Sequence, residues 1–173
     1  MPLVAAIAIL TLVLCALVLV RWFRARPDGW LGARYDSPGI AVGERVGDFV
    51  TSTIDGELLV PELLLGETLV AFFVADCGRC LRRLPKFTAH ARRFPGGRRR
   101  VLVVLVSMDD SPPVAADLQA IARVVVEAPG GPLSVAFQFH THPALLRVAP
   151  DSTGRLVVRA TRADTDHRAA VAV

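Results

Sequence analysis

Thr68-Leu69-Val70-Ala71-Phe72-Phe73-Val74-Ala75-Asp76-Cys77-Gly78-Arg79-Cys80 is the stretch from which the rest of the chain is read. From Thr68 to Ala75 there is no charge, only an apolar run of strand length, the pattern of a strand buried on both faces. From Gly78 the period changes. Leu81, Leu84, Phe87, Ala91 and Phe94 recur at spacings of three and four, which predicts an amphipathic helix from Gly78 to Phe94. Pro85 lies inside it, lacks an N–H and predicts a kink. Cys77 therefore stands where a buried strand hands over to a helix, and unsatisfied backbone N–H groups and the helix macrodipole favour an anion there.

A thiolate is such an anion. Only the thiolate attacks a disulfide, so a lowered pKa at Cys77 sets up thiol–disulfide exchange, and Cys80, one turn on, can resolve the mixed disulfide. The surrounding charge acts in the same direction. Between Cys77 and Arg100 there is no acidic residue, while Arg79, Arg82, Arg83, Lys86, Arg92, Arg93, Arg98, Arg99 and Arg100 supply nine of the twenty basic residues. Asp76 opposes this, since a neighbouring carboxylate raises a thiol pKa. Two other readings of the pair stay open, half of a zinc site or two inert core cysteines. Zinc needs four ligands, no second Cys pair exists, and His90 on the following helix with His140 or His142 far downstream completes a set only by tertiary accident. The arginines read equally as the solvated face of a helix and its following loop.

Outward from this core, Gly47–Ile54 and Glu57–Val60 are short β-rich runs around Asp55-Gly56, a hairpin signal. Downstream, Arg100–Ser107 is a second buried strand, Val114–Ile121 a helix, Arg123–Glu127 a third strand and Leu133–Phe139 one or two helical turns. Ala144–Val148 and Arg155–Thr161 flank Pro150-Asp151-Ser152-Thr153-Gly154 as a hairpin, and Asp164–Val173 closes the chain as a short helix. Thr141-His142-Pro143 precedes that hairpin. A proline at a strand entrance is tolerated; a trans proline in a loop is the commoner case, whereas a cis form would turn the backbone of the preceding residue toward the thiols, and His142 is read as having only a positional role. The alternation of strands and helices predicts an α/β domain, a mixed sheet covered by helices.

The 173 residues allow one compact domain plus an appendage. With 53% hydrophobic and 21% charged residues the chain is too apolar to be disordered. A net charge of +4 with eleven aromatics gives no argument for nucleic acid as a partner. Three cysteines, at 15, 77 and 80, exclude a disulfide-stapled scaffold.

The appendage is at the start. Pro2–Val20 carries no charge and, at about 1.5 Å per residue, nearly spans a hydrocarbon layer of roughly 30 Å, so residues 2–20 are expected to be a transmembrane helix in contact with lipid. Arg21-Trp22-Phe23-Arg24-Ala25-Arg26 supplies interfacial aromatics and cations at its end. A basic region before the run and small residues after it are both missing, so cleavage as a signal peptide is not expected. Leu14 before Cys15 argues against a lipoprotein, and Cys15 is read as an apolar helix residue. Residues 21–43 read as a juxtamembrane linker rich in Gly and Pro, and 44–173 as the folded domain. Arg21, Arg24, Arg26 and Arg34 follow the span and no Lys or Arg precedes it, which by the positive-inside rule puts the domain in the cytoplasm.

With these residues in view, the chain resembles the thioredoxin fold. The resemblance lies in the order of elements, the apolar strand running into Cys77-Gly78-Arg79-Cys80, and Pro143 before the last hairpin. Val46-Gly47-Asp48-Phe49 with Asp55-Gly56 resembles the N-terminal hairpin extension of its membrane-anchored redoxin branch, the TlpA, ResA and MauD type. The resemblance implies a thiol:disulfide oxidoreductase with Cys77 as nucleophile, Cys80 as resolving thiol and Pro143 as a cis proline. It implies no cofactor beyond a redox-active Cys77–Cys80 disulfide and no metal. Its partners are a client protein with a disulfide or thiols and a second redox protein, met on the outer face of the membrane; the expected location follows this implication rather than the arginines. Where the family has Trp, Pro and Thr, this chain has Asp76, Arg79 and His142, which implies a specialised client. Val70 and Val74 stand where a peroxiredoxin has Pro and Thr or Ser, which disfavours that branch. The alternative is a copper or other soft-metal delivery module on the same fold, with Cys77, Cys80 and His142 as ligands.

Overall fold

The computed structural model describes residues 39–140 and 142–161. The expected anchor at 2–20, the linker up to residue 38, Thr141 and the expected closing helix lie outside them. No helix among the described residues is long and apolar enough to cross a membrane.

Apolar runs became strands with little change of bounds. The elements are β1 (Thr51–Ser52), β2 (Leu58–Leu59), β3 (Thr68–Val74), α1 (Gly78–Ala91), β4 (Val101–Val106), α2 (Val114–Gln119), β5 (Arg123–Glu127), α3 (Pro132–Ala136), β6 (Ala144–Pro150) and β7 (Leu156–Ala160). Five strands form one mixed sheet in the order β5-β4-β3-β6-β7. β3, β4 and β5 run parallel, while β6 is antiparallel to both β3 and β7. β3 is thus the central strand, and α1 leaves from its C-terminal end.

The uninterrupted hydrophobicity of β3 reflects two cores. Val70 and Phe72 point into one, with Leu102, Val104, Leu133, Phe137 and Leu146. Leu69, Ala71 and Phe73 point into the other, with Val103, Leu105, Cys80, Phe87 and Leu118. The period of two is intact, and burial on both faces hides it from a hydropathy reading. Phe73 meets Phe87 of α1 edge-on at 5.3 Å, which seats the helix over the sheet.

β1 and β2 form their own two-stranded sheet, shorter than the runs read from sequence. The Thr53 amide donates to the Glu57 carbonyl (2.9 Å) and the Glu57 amide to Thr53 Oγ1 (3.1 Å), closing the hairpin around Asp55-Gly56. The packed domain also begins earlier than Glu44, because Ile40 is fully buried. A Cβ on Gly39, at φ +86°, would lie 2.0 Å from the Gln138 carbonyl oxygen, so only glycine fits there. The Gly43 and Val46 amides donate to Val158 and Leu156, so this segment covers the free edge of β7.

Candidate functional site

Cys77 is the N-cap of α1, with extended backbone at φ −89° and ψ 108°. Its amide donates to the Val74 carbonyl (3.1 Å) and its carbonyl accepts from the Leu81 amide (3.0 Å), so strand end and helix start share the residue. Cys77 is half-buried, Cys80 is fully buried, and both are free thiols. The expected helical face holds at Leu84, Phe87, Ala91 and Phe94, and only its first member differs: Cys80 takes the buried place and Leu81 is 44% exposed. A thiol that behaves as a small apolar side chain begins that row.

The two thiols are driven apart. Burial pushes Cys77 up, but the Cys80 amide, the Cys80 thiol, the Arg79 amide and the Arg79 charge outweigh it and hold its pKa below the ordinary thiol value. At Cys80 burial dominates, and a neighbouring Cys77 thiolate adds to it, pushing the pKa up to about 11. One sulfur is thereby prepared to attack and the other to stay protonated. Asp76, expected to oppose the thiolate, is exposed to water and is not among the main groups acting on Cys77.

The His142–Pro143 peptide bond is cis. Pro143 is buried at the entrance to β6, and His142 is exposed beside it. His142 and Asp76 line one cleft of about 280 Å³, whose other walls include Val74, Ser107, Ser134 and Phe139. Cys77 is not part of that wall, so the cleft sits beside the thiol pair. Asp76, Cys77, Arg79 and Cys80 lie within five successive residues, and His142 shares the lining of the cleft with Asp76. Among the described residues no three His, Cys, Asp or Glu side chains converge as a metal site. The soft-metal set of Cys77, Cys80 and His142 is therefore not assembled.

Sequence reading passed over Glu127. At the end of β5 its buried carboxylate accepts from the Leu133 amide (2.9 Å), the Ser134 amide (2.7 Å) and the Ser134 hydroxyl (2.6 Å). It caps α3 and holds the turn at Pro129 and Gly130 that forms one wall of the cleft. The available signal was a carboxylate ending an apolar strand, followed by Gly131-Pro132 at a helix start.

No family model and no curated protein matches this sequence. Solved structures do. The fold is thioredoxin-like, with the dithiol at the end of the central strand. The chain is similar to an uncharacterized conserved protein from Geobacillus kaustophilus at TM-score 0.53 and 16% identity, over 78% of this chain and 76% of that one. It is also similar to a thiol:disulfide interchange protein from Bacteroides sp. at TM-score 0.52 and 14% identity, over 69% of this chain and 81% of that one.

Proposed function

We propose that this protein is a membrane-anchored thiol:disulfide oxidoreductase acting on protein disulfides outside the cytoplasm. The observation that carries the reading is the opposite treatment of two thiols one helical turn apart: Cys77 is half-buried with a lowered pKa, and Cys80 is buried with a raised one. In the reducing direction Cys77 Sγ⁻ attacks one sulfur of the client disulfide. The client S–S bond breaks, a Cys77–client bond forms, and the other client sulfur leaves as a thiolate that takes up a proton. Cys80 then loses its proton and attacks Cys77 Sγ, forming the Cys77–Cys80 bond and releasing the second client thiolate. Two electrons pass to the client, whose two thiolates take up one proton given up by Cys80 and one from water. Run backwards, the same steps oxidise a client dithiol. The fold supports this reading, since a thiol:disulfide interchange protein shares it. Residues 2–20 support the anchor.

Trapping tests it. Cys80→Ser is expected to accumulate a Cys77–client mixed disulfide in the membrane fraction, seen as a reducible adduct on non-reducing gels. Cys77→Ser is expected to accumulate none. Absence of any adduct from Cys80→Ser would falsify the reading.

A further inference from the structure

α1 buries Cys80, Phe87 and Ala91 against the sheet. At about 100° per residue Arg79 lies on the flank of that row, Arg82 and Lys86 lie farther round toward the opposite side, and Arg93 continues the stripe two residues past the helix end. All four are exposed. With 14 residues in the helix, the stripe is roughly 20 Å long. Among the described residues its charge is uncompensated. No acidic residue lies between Cys77 and Arg100, and among the described residues none of the four forms an ion pair with a carboxylate. The other arginines show that the fold supplies carboxylates where it uses them. Arg98 pairs with Asp55, Arg123 with Glu57 and Arg147 with Glu67.

The stripe's position gives it a use. It begins at Arg79, between the two cysteines, so a protein that brings a disulfide to Cys77 Sγ comes within electrostatic reach of the stripe's first turn. Attraction between exposed charges reaches about 8 Å at physiological salt and speeds encounter by an order of magnitude or more when the signs are complementary. We propose that the α1 face formed by Arg79, Arg82, Lys86 and Arg93 docks a client whose disulfide is flanked by acidic residues. This rests on the oxidoreductase reading and adds to it the charge of the client surface.

The test uses the reduced full chain in neutral micelles with three synthetic peptides. Each carries one intramolecular disulfide next to four glutamates, four lysines or four serines. In each reaction the peptide disulfide becomes a dithiol as Cys77 and Cys80 become a disulfide. Each rate is divided by the rate of the same peptide with dithiothreitol. The glutamate peptide is expected to react about tenfold faster than the lysine peptide at low salt, with the ratio falling toward one in 0.5 M NaCl. The triple variant R82E/K86E/R93E is expected to invert the preference and keep its rate on the serine peptide. Equal rates on the two charged peptides, or an unchanged preference in the variant, overturn the proposal. A loss in the variant of binding to phosphatidylglycerol vesicles, with peptide preference unchanged, assigns the stripe to lipid and also overturns it. Fluorescence anisotropy of Cys→Ser forms of the peptides reads docking without chemistry. If the reduced chain reduces no peptide disulfide and the oxidised chain oxidises no peptide dithiol, the oxidoreductase reading falls, and docking is decided by whether the glutamate form binds more tightly than the lysine form and loses that advantage in the variant.

Discussion

Cys77 and Cys80 are the same amino acid one turn apart, and what separates them is position on the helix. Cys77 caps the helix, where the amides of Arg79 and Cys80 and the Arg79 charge outweigh its burial. Cys80 faces the core, and burial raises its pKa to about 11. The sign of the pH dependence follows. Lowering a thiol pKa extends the thiolate to lower pH, so the rate of Cys77 alkylation by iodoacetamide is expected to rise with a midpoint below 9.0, the ordinary thiol value. Cys80 is expected to react only as pH approaches about 11. A shared midpoint near 9 for both thiols would contradict the asymmetry. Arg79→Ala removes a charge that favours the thiolate, so the Cys77 midpoint is expected to move upward in that variant. The position of this pair at a strand-to-helix junction was legible in the sequence. Its difference in burial was not, because a cysteine has no place in a hydropathy pattern until the helix register is known. Reading Leu81 into the buried face was the consequence, one position away from the true row.

At the scale of elements, the long apolar strands were the clearest part of the sequence, and β5 falls on the residues expected. The hairpin was recognised by Asp55-Gly56 but came out shorter, since only Thr51–Ser52 and Leu58–Leu59 pair. Pro85 did not interrupt α1, which runs from Gly78 to Ala91. The carbonyl left without a helix partner by the missing N–H is that of Leu81. Both residues are on the exposed side of the helix, where a carbonyl without a helix partner is not cut off from solvent. Glu127 marks the opposite limit, a buried carboxylate whose partners lie six and seven residues away on another element and carry no pattern in sequence. Removing it leaves two amides and a hydroxyl without their acceptor. Glu127→Ala is expected to destabilise the domain by about 2–3 kcal/mol, read from the urea midpoint, whereas Glu127→Gln, which keeps one carbonyl oxygen, is expected to cost less. Equal midpoints for Glu127→Ala and the parent protein would contradict the capping role.

For the whole molecule, the order of strands and helices already implied a mixed sheet covered by helices, and the resemblance implied that it was thioredoxin-like. The structure adds what the pattern could not carry, a segment reaching back to Ile40 that closes the β7 edge and joins the core. That placement depends on a close backbone approach at Gly39, which no periodicity encodes. The proposal as a whole requires that the two cysteines interconvert between dithiol and disulfide. The most direct measurement equilibrates the full chain against glutathione and thioredoxin buffers and reads the fraction oxidised by thiol alkylation. A reversible two-electron couple between about −120 and −270 mV, lost in Cys77→Ser and in Cys80→Ser, is the predicted result, and its position tells oxidant from reductant. Failure of Cys77 and Cys80 to form a disulfide reversibly in any of these buffers would contradict the proposed function.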